Sequence, residues 1–281
     1  MLTSVTTYQR KNTFFLCISL DLINFLTLRN EKISLFPSLN RIFCTTFAIH
    51  NVIYSIMMKR SVFLFALLLS LTAVAQQRVR VSILGDSYST YQDYIPEGNA
   101  IWYFEPMDAR NTDVSDVRQT WWWQVVKEGG YLLEKNESYS GATICYTGYK
   151  DEDYSDRSFI TRLPRLGCPD ILLIFGNTND SWCGAKVGEY MYNDWKRADL
   201  YTYRPALAKL LNDAQSRYPN ARIYFIQNTE LRKDITESTA VICKHYGVPV
   251  IQLKDIEKKS GHPDRKGMKA ICDQVLKAIK Q

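Results

Sequence analysis

The stretch Val79–Ser89 (VRVSILGDSYS) decides the fold of this 281-residue chain. Its first half is a run of β-branched and apolar residues, which predicts a β-strand that ends at Leu84. The Gly85-Asp86-Ser87 that follows is small and polar, as is typical of a tight turn. In an open parallel α/β sheet, ligands bind at the carboxyl ends of the strands, because the loops converge there. A serine hydroxyl on such a turn is a candidate nucleophile if another segment supplies a base; otherwise it is a solvated turn residue.

Residues 58–75 have the pattern of a secretory signal peptide. Residues 58–60 form a short basic start, residues 62–71 are apolar, and Ala73–Ala75 offers an A-x-A cleavage site before Gln76. The apolar run is short for a membrane span. No cysteine that could carry a lipid follows the cleavage site. We therefore expect export to the periplasm or the cell exterior, without a stable membrane anchor.

Residues 1–57 precede this signal and show no sustained hydrophobic periodicity. We interpret them as a non-native or disordered upstream extension, translated ahead of a true start at Met57 or Met58. A genuine N-terminal extension is the alternative. The mature protein is then residues 76–281, which we expect to form one domain, since no repeat or low-complexity linker interrupts it.

Charge and cysteine usage exclude two classes of function. Residues 1–75 contain seven of the 35 Lys and Arg and two of the 29 Asp and Glu, so the mature chain is nearly neutral. It therefore lacks the basic surplus of a nucleic-acid-binding protein. The cysteines after residue 75 form no C-x-x-C pair, which argues against a zinc site, and we expect neither a metal nor a cofactor.

Strand-like and helix-like segments alternate along the mature chain. After the first strand, Leu132-Leu133 and Glu137–Ser140 predict a second strand, and apolar runs predict strands at 170–175, 222–227 and 248–251. Helices are predicted near 121–127, 205–217, before 246 and after 266. This alternation predicts a parallel sheet of five strands with helices on both faces. An aromatic insertion at 91–118 separates the first strand from the first helix, and loops of this length are usually functional or disordered. Its aromatic residues argue against disorder.

Three of the predicted strands run into short polar loops: Gly85–Ser87, Ser140–Ala142 and Thr178–Asp180. Because the carboxyl ends of parallel strands lie at one edge of the sheet, these loops are expected to meet there.

Few histidines are available as a base for Ser87. The chain has three, of which His50 lies in the upstream extension. His245 is near the end of a predicted helix, where an imidazole commonly meets the last carbonyls. His262 lies in the Gly/Pro-flanked loop Ser260–Pro263 before the last helix. We therefore assign His262 as the base.

The segments Gly85–Ser89, Ser140–Thr143, Thr178–Asp180 and Gly261–Pro263 resemble, in this order, the four sequence blocks of the SGNH (GDSL-like) hydrolase family. The resemblance extends from about residue 79 to the end. It implies a three-layer, flavodoxin-like α/β sandwich around a central parallel five-stranded sheet. It also implies a serine esterase, here one similar to the secreted carbohydrate esterases.

The resemblance assigns a role to each block. Ser87 would attack the ester carbonyl, and His262 would take its proton and return it to the leaving alcohol. The backbone N–H groups of Ser87 and Gly141 and the side-chain amide of Asn179 would form the oxyanion hole. We expect glycine at 141 because a backbone amide approached closely by substrate leaves no room for a side chain.

Two positions depart from the family pattern. Asn177 stands where a glycine is usual, so either the loop is shifted or Asn177 adopts the left-handed conformation. Lys259 stands where an aspartate usually orients the histidine, and a lysine there would lower the pKa of His262. Asp255, Glu257 or a backbone carbonyl could replace the aspartate, or the enzyme works as a Ser-His dyad.

Aromatic residues near the predicted site suggest the substrate. Indole and phenol rings bind the apolar faces of sugars, and Trp102, Tyr103 and Trp182 fall in or beside the site loops. We therefore predict hydrolysis of an ester, foremost an O-acetyl group on a carbohydrate; a small-molecule or glycan ester is the expected partner. The alternatives are a lipase, arylesterase or thioesterase of the same family, and a catalytically impaired relative that only binds carbohydrate.

Overall fold

The computed structural model describes residues 49–50, 52–63 and 78–280. The chain divides into two units, Met1–Gln76 and Gln77–Gln281. The described part of the first unit is helical, and none of the helices in the described ranges is long and apolar enough to cross a membrane. The predicted cleavage site at Ala73–Ala75 and most of the predicted upstream extension lie outside the described residues, so both stay predictions.

A five-stranded parallel sheet forms the centre of the second unit, as the sequence predicts. Its strands are β1 (Arg80–Gly85), β2 (Leu132–Ser138), β3 (Ile171–Gly176), β4 (Arg222–Gln227) and β5 (Val250–Gln252), in the spatial order β2-β1-β3-β4-β5. In this register Gly85 pairs with Ser138 on one side and Phe175 on the other. The carboxyl ends of the three strands are therefore level, and the loops that follow them start side by side.

Helices cover both faces of the sheet. They are α1 (Trp121–Glu128), α2 (Phe159–Arg162), α3 (Thr178–Trp182), α4 (Tyr203–Arg217), α5 (Lys233–His245) and α6 (Arg265–Ile279). Successive residues of a strand point to opposite faces, so Ile83 packs in the core under α1 and α6, and Leu84 in the core under α2, α4 and α5. The predicted three-layer α/β architecture is confirmed.

The aromatic insertion packs against the α1 and α6 side of the sheet. Tyr91, Tyr103 and Val114 join the core there, next to the fully buried Trp121 and Trp122 of α1. Burial of these rings orders a segment that has little regular secondary structure.

A small antiparallel hairpin projects over the carboxyl edge of the sheet. It consists of β6 (Lys258–Lys259) and β7 (His262–Pro263), with Lys259 paired to His262. Ser260 and Gly261 form its turn and have φ values of 49° and 76°. Positive φ at both turn positions is what a two-residue hairpin loop of type I′ requires, and this turn matches the twist of the strands.

Arg162, at the end of α2, ties the carboxyl ends of β1 and β2 together. Its side chain is fully buried, and Nη1 donates to the carbonyl oxygens of Gly85, at 3.1 Å, and of Glu137. Burial lowers the pKa of the guanidinium to about 10, and the nearby Glu137 carboxylate opposes that shift. The side chain is therefore still a cation at neutral pH, directly beneath the Gly85–Ser87 turn.

Replacing Arg162 by methionine should destabilise the protein by about 3–5 kcal/mol, because it removes the charged hydrogen bonds to the carbonyl oxygens of Arg157, Gly85 and Glu137. Urea denaturation would measure the loss. Arg110, whose side chain is 88% exposed, provides the matched control: Arg110→Met should leave the stability unchanged. Equal stabilities for the two variants would contradict this account of Arg162.

Candidate active site

The turn after β1 presents Ser87 at the edge of the sheet. The Asp86 carboxylate accepts the backbone N–H of Tyr88 at 3.0 Å and so caps the short 3₁₀ turn Ser87–Ser89. A Cβ on Gly85 would come within 2.6 Å of side-chain atoms of Ser89 and Ser138, so the close approach at this point requires glycine. The turn leaves Ser87 only 2% exposed.

His262 faces Ser87 from the hairpin. Its Nε2 lies 2.8 Å from Ser87 Oγ, and its Nδ1 lies 3.1 Å from the carbonyl oxygen of Ser260. A carbonyl oxygen can only accept a hydrogen bond, so Nδ1 carries the proton and Nε2 is left to accept the proton of Ser87. This is the tautomer that a general base needs.

Two buried tyrosines hold the hairpin in place. Tyr88 Oη donates to the carbonyl of Gly261 at 2.6 Å, and Tyr103 Oη donates to that of Pro263 at 2.9 Å. The prediction that Tyr103 binds substrate is therefore wrong: its side chain is fully buried in the core. The sequence correctly predicted that Tyr103 lies beside the site, but the burial of its side chain depends on how the whole insertion packs.

Two tryptophans enclose the imidazole. The ring of Trp102 stacks on His262 with 3.5 Å between centroids and 12° between planes. Trp182 meets His262 edge-on at 5.8 Å and is 42% exposed, so it forms the rim of the site. Both rings therefore lie against His262, and their contact with a substrate stays a prediction.

Burial is the main influence on the electrostatics of His262. It lowers the pKa of the imidazole to about 4; the contact with the Ser260 carbonyl opposes this shift, and the charge of Lys258 adds to it. The sequence predicted the direction but named Lys259 as the cation. Lys259 instead extends its Nζ to the carbonyl of Ala109, at 2.6 Å.

The two acids predicted to orient His262 do not reach it. Asp255 is exposed, and the Glu257 carboxylate lies 3.4 Å from Nζ of Lys266. Both precede β6, whereas the partner of Nδ1 comes from the hairpin turn itself. Of the alternatives that the sequence left open, the geometry therefore matches the backbone carbonyl.

The third predicted site segment, Thr178–Asp180, forms the start of α3 and places Asn179 against the segment after β2. Asn177 has φ 70° and ψ −10°, so of the two alternatives that the sequence left open, the structure shows the left-handed conformation. Asn179 is 3% exposed, and its Nδ2 donates to the carbonyl of Ala142 at 3.0 Å. The Asp180 carboxylate accepts the backbone N–H groups of Ile144 and Cys145, at 2.9 and 3.0 Å, which locks the two loops together.

Gly141 occupies this second loop with φ 84°. Within the described ranges, no heavy atom lies within 4 Å of a Cβ built on it. The left-handed backbone therefore favours glycine at this position, and open space lies beside it.

The sequence reasoning missed Tyr149. Its hydroxyl donates to Oδ1 of Asn179 at 2.9 Å, across 30 positions of sequence. Gly148 beside it signals a turn, but no local pattern indicates that the turn leads back to the site.

One group of potential metal ligands occurs among the described residues, away from this site. Glu128, Cys272 and Asp273 bring ligand atoms within 4.8 Å of one another. Both carboxylates contact Nζ of Lys269, at 3.2 and 2.5 Å, so the group is a surface ion-pair cluster.

The sequence profile of the GDSL-like lipase/acylhydrolase family matches residues 79–279. The chain belongs to this family. GDSL-like enzymes hydrolyse esters, so this chain is an ester hydrolase. Ser87 lies in the sequence block that gives the family its name, and His262 lies in the last block. No curated protein matches the chain significantly.

Two crystal structures from Bacteroides share this GDSL-like fold and much of the sequence. A protein of Bacteroides uniformis named as a GDSL-like lipase is 50% identical, with a TM-score of 0.71, over 73% of this chain and 97% of its own. Its counterpart from Bacteroides ovatus is 52% identical, with a TM-score of 0.71, over 73% and 99%. A carbohydrate esterase structure, 16% identical with a TM-score of 0.51 over 74% of this chain and 70% of its own, shares the fold alone.

The pH profile of kcat/KM should have its acidic limb near pH 4 rather than near the usual 6.5 of histidine. The base must be neutral to act, and a lowered pKa keeps it neutral to lower pH. Trp102→Ala removes the ring that buries the imidazole, so the limb should move to higher pH. Initial rates with a chromogenic acetate ester, with circular dichroism to verify folding at each pH, would test this. A wild-type limb at pH 6–7 would contradict it.

Neutralising the two nearby acids should leave catalysis intact. Asp255→Asn and Glu257→Gln should each keep kcat within about twofold of wild type, because neither carboxylate contacts His262. A triad aspartate, in contrast, is worth about 10⁴ in turnover. Steady-state kinetics of the two variants would test this prediction. A large loss of kcat in either variant would show that the replaced acid orients His262.

Proposed function

We propose that this chain is an exported serine esterase that removes small acyl groups, foremost O-acetyl, from a carbohydrate. The observation that carries the proposal is the 2.8 Å contact between Ser87 Oγ and His262 Nε2, in a site that is almost closed to solvent. Export rests on the signal-peptide pattern of residues 58–75.

The reaction follows from the contacts of the site. Ser87 Oγ attacks the acyl carbon while His262 Nε2 takes its proton. The tetrahedral oxyanion accepts hydrogen bonds from the N–H groups of Ser87 and Gly141 and from the Asn179 amide. His262 then returns the proton to the sugar oxygen as the C–O bond breaks. Water, deprotonated by the same imidazole, releases the acid from acyl-Ser87.

Burial makes the His262 imidazole a weak base by lowering its pKa to about 4. The Ser260 carbonyl orients the ring and opposes this shift, but it stabilises the imidazolium less than a carboxylate would. Much of the rate acceleration must therefore come from the oxyanion donors, each typically worth about 10²–10³.

The enclosure of the site favours a small acyl group. Ser87 is 2% and His262 6% exposed, and Trp102 covers the imidazole. A long acyl chain would need a groove to bury its methylenes, whereas an acetyl group needs only the space beside Gly141. Trp182, at the rim and 42% exposed, offers an indole face to a sugar ring of the leaving group. The carbohydrate esterase of the same fold is compatible with this substrate class.

The test is release of acetate from a panel of acetylated polysaccharides, together with p-nitrophenyl acetate, butyrate and octanoate. We expect acetate release from at least one polysaccharide, and kcat/KM should fall by about tenfold or more from acetate to octanoate. Ser87→Ala should abolish turnover, whereas Asn179→Ala should slow it about 10²–10³-fold.

Ser216→Ala, at an exposed serine of α4, serves as the control and should behave as wild type. Faster hydrolysis of the octanoate would favour a lipase. Near-normal turnover by Ser87→Ala would refute the nucleophile assignment. Binding of glycans without any hydrolysis would indicate the impaired relative.

A further inference from the structure

Tyr149 reaches the site from a loop outside the family's four sequence blocks. Its Oη donates to Oδ1 of Asn179 at 2.9 Å. Burial raises the pKa of the Tyr149 phenol above its usual value, so the hydroxyl keeps its proton and stays a donor at neutral pH. The contact therefore persists under the conditions in which an esterase works.

The Asn179 amide is held from both ends. Its Nδ2 donates to the carbonyl oxygen of Ala142 at 3.0 Å, while its Oδ1 accepts from Tyr149. A primary amide has two N–H bonds, so Ala142 uses one and the other stays available for a substrate oxygen. A donor on Oδ1 also polarises the amide, which strengthens its N–H as a donor.

The loop that carries Tyr149 is built to hold one conformation. Residues 147 and 153 form an isolated bridge, and Gly148 N–H donates to the carbonyl of Glu152 at 2.8 Å. Lys150 and Asp151 have φ values of 58° and 59°, in the left-handed region that non-glycine residues rarely adopt. Strain of this kind persists only where surrounding contacts enforce it, and it concentrates at functional sites.

We propose that Tyr149 is a positioning residue for the esterase reaction: its hydroxyl holds the Asn179 amide so that an Nδ2–H meets the developing oxyanion. This inference rests on the proposed function, in which Asn179 is an oxyanion donor. Tyr149 itself touches no reacting atom and acts through Asn179 alone.

The first test is Tyr149→Phe, which removes the hydroxyl and keeps the ring. We expect kcat for p-nitrophenyl acetate to fall about three- to tenfold, the range of one hydrogen bond. KM should stay within about twofold, because the oxyanion forms only in the transition state. The matched control is Tyr154→Phe on the neighbouring segment, whose ring contacts Arg157 and should leave both constants unchanged.

A double-mutant cycle separates positioning from a general structural role. In the Asn179→Ala background, Tyr149→Phe should cause no further loss of kcat. An equal loss in both backgrounds, or no loss in the wild-type background, overturns the inference. If Asn179→Ala is slow and Tyr149→Phe is not, only this inference fails. If Asn179→Ala has wild-type kcat, the oxyanion assignment fails and this inference falls with it.

Discussion

The hydrogen bond between Nδ1 of His262 and the carbonyl of Ser260 is the constraint on which the rest of the site depends. It sets the tautomer that lets Nε2 accept from Ser87, and its acceptor is only two residues away. A neutral carbonyl also suits a buried, Trp102-covered imidazole. A carboxylate in the same enclosure would have to be desolvated, which costs several kcal/mol per ion.

With so weak a base, the proposed reaction depends mainly on stabilisation of the oxyanion. A base with a pKa of about 4 takes a proton weakly, so the negative charge on the substrate oxygen must be well stabilised. The donors that we propose there are held by buried contacts: the Asp180 carboxylate joins α3 to the loop after β2, and Ala142 and Tyr149 contact the Asn179 amide. Preorganised dipoles act without reorganising at the moment of reaction.

The sequence predicted what depends on local pattern. Apolar runs predicted most of the strands, and the tolerance of asparagine for the left-handed region gave one of the two alternatives for Asn177, the one that the structure shows. Contacts that depend on packing were not predictable. The burial of Tyr103 follows from how the whole insertion folds, and the direction of the hairpin decides that Ser260, rather than Asp255, faces His262.

Three segments of the site each have a residue with positive φ close to a site side chain. Asn177 lies two residues before Asn179, Ser260 two residues before His262, and Lys150 directly after Tyr149, and all three have positive φ. Each such residue costs on the order of 1–3 kcal/mol. A sheet covered on both faces can hold them, because its level strand ends fix where every loop begins. The residues with positive φ set the directions of the site side chains next to them. The stability of the core maintains the strained backbone at these residues.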